Sequence, residues 1–163
     1  MTSRAEAAVE EWKRERPDLD PFVMQVLGRL GEAAQTVARD HLTPFFVSHG
    51  LQPGEFDVLA TLRRSGHPYA LNPTALYEAT MISSGGMTNR LDRLEKAELI
   101  ERKKHPKDRR GTIVELTKKG RALIDDILEL HIENERRVLS GLTRSEQEQL
   151  DTLLSKLLKT LPK

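Results

Sequence analysis

The sequence contains no cysteine, which excludes disulfides, thiolate metal sites and thiol redox sensing and leaves nothing that asks for an oxidising compartment. Aromatic residues make up only 4% of the chain, too few strand formers for a large sheet. Long apolar runs are also missing. Nothing approaches the about 20 residues that span a bilayer, and Met1 to Arg16 alternates charges with alanines where a signal peptide would carry its apolar core. The expectation is a soluble, cytoplasmic protein with no membrane partner. The sequence has no glycine-rich phosphate loop, no nucleophile beside a base and no metal motif. His131 and Glu135 stand at i, i+4 but lack a third ligand, so no enzymatic activity, cofactor or metal is expected.

What is present points to helices. The 163 residues are 37% hydrophobic and rich in Leu, Ala, Glu, Lys and Arg, enough to bury one core with helices to spare for a partner. The net charge is only +1, yet Arg102 to Arg110 (RKKHPKDRR) sets six Lys/Arg against one Asp. The remainder is therefore net acidic, and positive charge is concentrated in one place, as contact with nucleic acid requires.

Apolar spacing divides the chain. Ala5, Ala8, Val9 and Trp12 make a short amphipathic helix that the Arg16-Pro17 junction stops. Phe22, Val26, Leu30, Ala33, Ala34 and Val37 stripe a long helix from Pro21 to about Val47, with Pro44 placed to bend its end. A turn at Gln52–Glu55 starts a third helix through Phe56, Leu59 and Leu62, closed by Ser65-Gly66-His67-Pro68. Asn72-Pro73 supplies a cap and a first-turn proline for a short helix to Ala79; Thr80 to Ser84 turns into another helix ending near Ala97. Leu99–Arg102 and Thr112–Leu116 read as a hairpin around a basic tip. Thr117 and Thr143 cap two final helices, the last bearing Leu150, Leu153, Leu154, Leu157, Leu158 and Leu161.

Helix, short helix, turn, helix and basic hairpin, in that order, describe a winged helix-turn-helix whose second helix enters the major groove. The expected fold is mainly α with a small β-hairpin wing. Its segments are 1–47 (an N-terminal helix and a first long helix), 48–121 (the winged helix-turn-helix) and 122–163 (C-terminal helices). Met87, Leu91 and Leu94 form the inner face of the second helix. Ser84, Thr88, Asn89 and Arg93 offer donors and acceptors to base edges or phosphates, and Gly85-Gly86 permits close backbone approach. A polar outer face is equally what a solvated helix shows; the basic hairpin favours the DNA reading. Lys103, Lys104, Lys107, Arg109 and Arg110 are long cations able to follow a phosphate backbone, and an arginine suits a narrow minor groove.

The segments LEKAELIER from Leu94, Asp108-Arg109-Arg110, and LTKKG from Leu116 resemble the signature of MarR-family repressors. That resemblance implies that Asp108 holds the wing through an ion pair, that Arg109 or Arg110 reaches the minor groove, and that the recognition helix begins near Ser83. It also implies an obligate homodimer joined through its first and last helices, which suits the stripes Phe22–Val37 and Leu150–Leu161. Two-fold symmetry then predicts a pseudo-palindromic double-stranded DNA operator with half-sites about 10 base pairs apart.

The added N-terminal helix with Trp12, followed by Arg16-Pro17-Asp18-Leu19-Asp20, resembles the PecS-like, urate-responsive subgroup. By that resemblance Trp12, Asp57, Arg64 and Arg90 surround a small anionic aromatic ligand, with urate or xanthine fitting the chemistry of an aromatic plate and guanidinium forks. An Asp57 to Arg90 ion pair would hold the recognition helix until the ligand repels Asp57 and draws Arg90 away. The plain alternative makes Trp12 a core anchor and the other three ordinary salt bridges. For the whole chain the reading is a ligand-released transcriptional repressor; a winged helix serving as a protein-interaction module is the competing function.

Overall fold

In the computed structural model the described residues are 3–52, 54–80, 86–104 and 111–162. They fall into two units, Met1–Phe45 and Phe46–Lys163.

The first unit is a helical hairpin. Helix α1 (Arg4–Glu15) starts at Ser3, whose side chain accepts from the Glu6 amide, and stops at Arg16, the residue before Pro17, where a proline disfavours helical backbone. Helix α2 (Phe22–Thr36) lies against it. The approach is close because Gly28 has no side chain: a Cβ there would stand 2.9 Å from the Ala5 Cβ. Arg4–Glu32 at 3.0 Å and Arg29–Glu6 at 3.6 Å bracket the contact. The helical run continues through a π segment, Val37–Leu42, into α3 (Thr43–Ser48). Pro44 has no amide to give Asp40, and its ring would crowd that carbonyl in an α register. The helix widens by one residue in the turn before it, with the Thr43 amide bonded to the Ala38 carbonyl. The bend expected at Pro44 is thus a change of helical register upstream of it.

The second unit carries α4 (Glu55–Arg64), β1 (Ala70–Leu71), α5 (Pro73–Ala79), α6 (Met87–Lys96), β2 (Ile100–Lys104), β3 (Thr112–Leu116), α7 (Lys118–Val138) and α8 (Arg144–Thr160). Local chemistry sets several boundaries. Asn72 caps α5 through the Ala75 amide, Thr117 caps α7 through the Gly120 amide, and Thr143 with Glu146 makes a reciprocal capping box on α8. The strands form one antiparallel sheet in the order β1-β3-β2, with Ile100 opposite Leu116 and Ala70 opposite Glu115. Strand β1 is an addition to the expected hairpin. Tyr69, at φ 63°, delivers the chain into it, and the Tyr69 carbonyl accepts from the Leu116 amide.

Leu51, Val58, Leu59, Leu62, Leu76, Leu94, Ile100, Val114 and Ile124 fill the core of this unit. They come from α4, α5, α6, the sheet and α7 together, so the helix-turn-helix, the wing and the start of α7 share one interior. Phe46 stacks on Phe56 at 4.8 Å between ring centres, and His131 lies 4.4 Å from Phe56. Among the described helices none is long and apolar enough to cross a membrane.

Candidate nucleic-acid interface

Helix α6 buries Leu91 and Leu94 and turns its other sides outward. It begins later than expected. Gly86, at φ 82°, is the N-cap and Met87 the first helical residue. A left-handed residue interrupts the helical run expected from Ser84, and glycine takes that conformation without steric penalty. Ser83 and Ser84 lie outside the described residues.

Two sets of ion pairs fasten α6. On one side the Arg93 guanidinium reaches Glu55 Oε1 at 3.1 Å; Glu55 is a nearly fully buried carboxylate in the first turn of α4. On the other, Arg102 of β2 donates to Asp92 at 2.7 Å and to Glu95 at 2.9 Å, while the Arg102 amide donates to the second Glu95 oxygen. The end of α6 is fastened too. The Thr117 hydroxyl donates to the Glu98 carbonyl, and the Lys119 ammonium donates to the Ala97 carbonyl. Sequence reasoning does not find these partners. A glutamate opening an otherwise apolar helix face is the one available signal for Glu55.

Of the residues expected to meet DNA, Thr88 and Asn89 stand exposed on the first turn of α6 with no side-chain partner among the described residues. Arg93 is engaged by Glu55. Lys103 is engaged as well, at 2.6 Å from Glu101 and 3.1 Å from Glu115 across the hairpin; these two hydrogen-bonded carboxylates raise its pKa above the usual lysine value. Lys104 is exposed at the end of β2. Lys107, Arg109 and Arg110, and the wing-orienting Asp108, lie outside the described residues.

The expected effector residues come from α1, α4 and α6. Trp12 is half-exposed on α1 in the first unit. Asp57 and Arg64 lie one above the other on α4 and pair at 3.8 Å, as a spacing of seven on a helix dictates. Both line a cavity of about 480 Å³ formed by α4 and α7, with Phe56, Ile124 and His131 in its wall. Its rim holds Arg63, fixed to Asp125 at 2.6 Å, and that hydrogen bond raises the Arg63 pKa. The Arg63 and Arg121 guanidinium groups lie 5.1 and 4.7 Å from the centre of the Tyr69 ring. Arg90, half-buried on α6, folds its guanidinium back towards Gly86, where a Cβ would stand 3.9 Å from Arg90 Cζ.

A helix-turn-helix with an anchored second helix and a three-stranded wing defines a winged-helix DNA-binding protein. Residues 49–111 match the MarR family. The chain is 42% identical to the HTH-type transcriptional regulator PecS of Dickeya dadantii (strain 3937), over 94% of this chain and 92% of that protein. Among solved structures it is similar to a MarR mutant from E. coli complexed with operator DNA (25% identity, TM-score 0.71, 90% of this chain and 97% of that one). It is also similar to Bordetella bronchiseptica BpsR, a protein whose DNA binding is regulated by 6-hydroxynicotinic acid (26% identity, TM-score 0.67, 82% and 98%). The chain belongs to the MarR family. It is a DNA-binding transcriptional regulator and not an enzyme, which favours that reading over a protein-interaction module.

Proposed function

We propose that the protein is a homodimeric repressor that binds a pseudo-palindromic operator through α6 and the wing and is released by a small anionic aromatic ligand. The observation that carries this is α6 itself. It is fastened on both sides by ion pairs, one of them to strand β2 of the hairpin, while Thr88 and Asn89 are exposed with no side-chain partner among the described residues. Such an element has the rigidity that reading base edges demands. Arg109 and Arg110 supply the backbone and minor-groove contacts.

Dimerisation uses the apolar faces of α2 and α8. Phe22, Val23, Val26 and Leu27 on the first and Leu150, Leu153 and Leu158 on the second are exposed in the single chain. Apolar stripes of this kind mark surfaces that another protein covers.

The ligand reading rests on the Asp57–Arg64 pair and the cavity it lines, whose 480 Å³ lies in the range that holds small molecules. An anion entering there competes with Asp57 for Arg64 and attracts Arg90. Trp12 joins the set by resemblance to the PecS-like subgroup. Urate and xanthine are the ligands of choice, and the regulation of BpsR by 6-hydroxynicotinic acid supports an aromatic acid as the class. Coupling of about 1–3 kcal/mol would weaken operator binding roughly 5- to 150-fold.

The deciding experiment is a salt titration on a duplex recovered by the protein from a random-sequence pool. A steep decline of affinity with salt is expected, shallower by about 0.9 for each phosphate contact that Arg109→Ala or Arg110→Ala removes. Recovery of no duplex at low salt, or an unchanged slope in both variants, defeats the proposal.

A further inference from the structure

We infer that Glu55 and Arg93 are a positioning pair: the buried carboxylate at the start of α4 aims the recognition helix through Arg93, and Arg93 does not itself neutralise a DNA phosphate. The inference rests on α6 being the helix that meets DNA.

The chemistry of Glu55 carries it. Its side chain is 4% exposed, and both of its oxygens are occupied. Oε2 accepts from the Gln52 amide at 2.5 Å, and Oε1 faces the Arg93 guanidinium at 3.1 Å. The position at the first residue of α4 adds the favourable field of a helix N-terminus. A carboxylate removed from water to this degree is tolerated only with its cation and hydrogen bonds in place. Moving Arg93 to a phosphate would leave Glu55 buried without its cation, so the guanidinium is committed to the protein although its own side chain is 54% exposed.

The placement of the pair gives it a purpose. Asp92 and Arg93 are successive residues, so their side chains leave the helix about 100° apart. Asp92 is fastened to Arg102 of the wing and Arg93 to Glu55 of α4. A helix fastened at one azimuth can still roll over the Leu91–Leu94 contact; one fastened at two cannot. Rolling would swing Thr88 and Asn89 away from the bases they are placed to read. Arg93 is thus a specificity-determining residue acting at a distance from the bases.

The test uses the full chain, the duplex it recovers from a random pool, and a scrambled duplex of the same composition. Arg93→Gln is expected to weaken binding to the recovered duplex about tenfold, the size of one base contact, with an unchanged salt slope and unchanged affinity for the scrambled duplex. Glu55→Gln is expected to do the same. The Glu55→Gln, Arg93→Gln double variant, which keeps a neutral hydrogen bond between the two side chains, is expected to be no worse than either single one. The inference is overturned if Arg93→Gln weakens both duplexes alike with a slope shallower by about 0.9, the signature of a missing phosphate contact, or if Glu55→Gln tightens binding by freeing Arg93. Asn89→Ala separates the underlying reading: if it leaves the preference for the recovered duplex intact, α6 is not the reading helix, whatever the pair does.

Discussion

Gly120, in the first turn of α7, packs so closely on the backbone of Leu99 that a Cβ at this position would run into the Leu99 carbonyl. Leu99 closes the turn between α6 and β2, and its carbonyl already accepts from the Thr117 amide. The long helix α7 therefore starts in direct contact with the junction of the recognition helix and the wing, with no compliant side chain in between.

Gly120→Ala should cost about 1–3 kcal/mol, the usual penalty for overpacking. For a chain of this size that is roughly 2–4 °C of melting temperature per kcal/mol. Thermal denaturation measures it. An unchanged midpoint would mean that the α7–Leu99 contact yields freely.

The capping box of α8 makes its stability depend on acid. Hydrogen bonds from the Thr143 amide, and then from its hydroxyl, lower the Glu146 pKa below the usual carboxylate value. A depressed folded-state pKa contributes stability that is complete above the unfolded value of about 4.3 and is lost as pH falls through the lower folded value. Helicity and melting temperature followed through that window should decline less steeply in Glu146→Gln than in the natural sequence. Equal slopes would remove Glu146 from the account.

Leu158→Glu on α8 and Val23→Glu on α2 replace exposed leucine and valine, so neither opens a hole in the single chain. If the proposed dimer forms through these faces, both should shift it towards monomer in sedimentation experiments and leave the far-ultraviolet circular dichroism unchanged. A variant that stays dimeric takes its helix out of the interface.

Urate or xanthine at a hundredfold excess over Kd should stabilise the protein by about 2.7 kcal/mol, roughly 5–10 °C in midpoint. Asp57→Asn alters the charge that competes for Arg64, and Arg64→Ala removes the cation. Arg64→Ala should abolish the shift. A shift that persists undiminished in Arg64→Ala and Arg90→Ala places the ligand elsewhere.

The parts of the fold that are legible in the sequence are those settled within a few residues. Asn72-Pro73, Thr117 and Thr143 announce helix starts because a cap needs only the next three amides, and Arg16-Pro17 announces a stop. Strand β1 is not legible: two residues, Ala70 and Leu71, are a strand only because β3 lies beside them. The start of α6 is hidden as well. Paired glycines at 85 and 86 suggest close approach to a partner, whereas the positive φ of Gly86 makes it the boundary of the helix. In the site, the exposure of Thr88 and Asn89 follows from helical spacing. The engagement of Arg93 does not, since Glu55 lies far back in the chain and the pairing exists only once α4 and α6 have packed. Lys103 looks like one more wing cation for the same reason: Glu115 meets it across the hairpin, not along the sequence.

Trp12 is the sole tryptophan of the chain and stands half in solvent on α1. The protein thus carries an intrinsic optical label at one known place. Excitation selective for indole reports on α1 alone, without dye or engineered residue, and its emission colour follows the water around that ring. Iodide reaches the indole only where water does, so a ligand that draws α1 over itself would shield the ring from quenching, and one that leaves α1 aside would not.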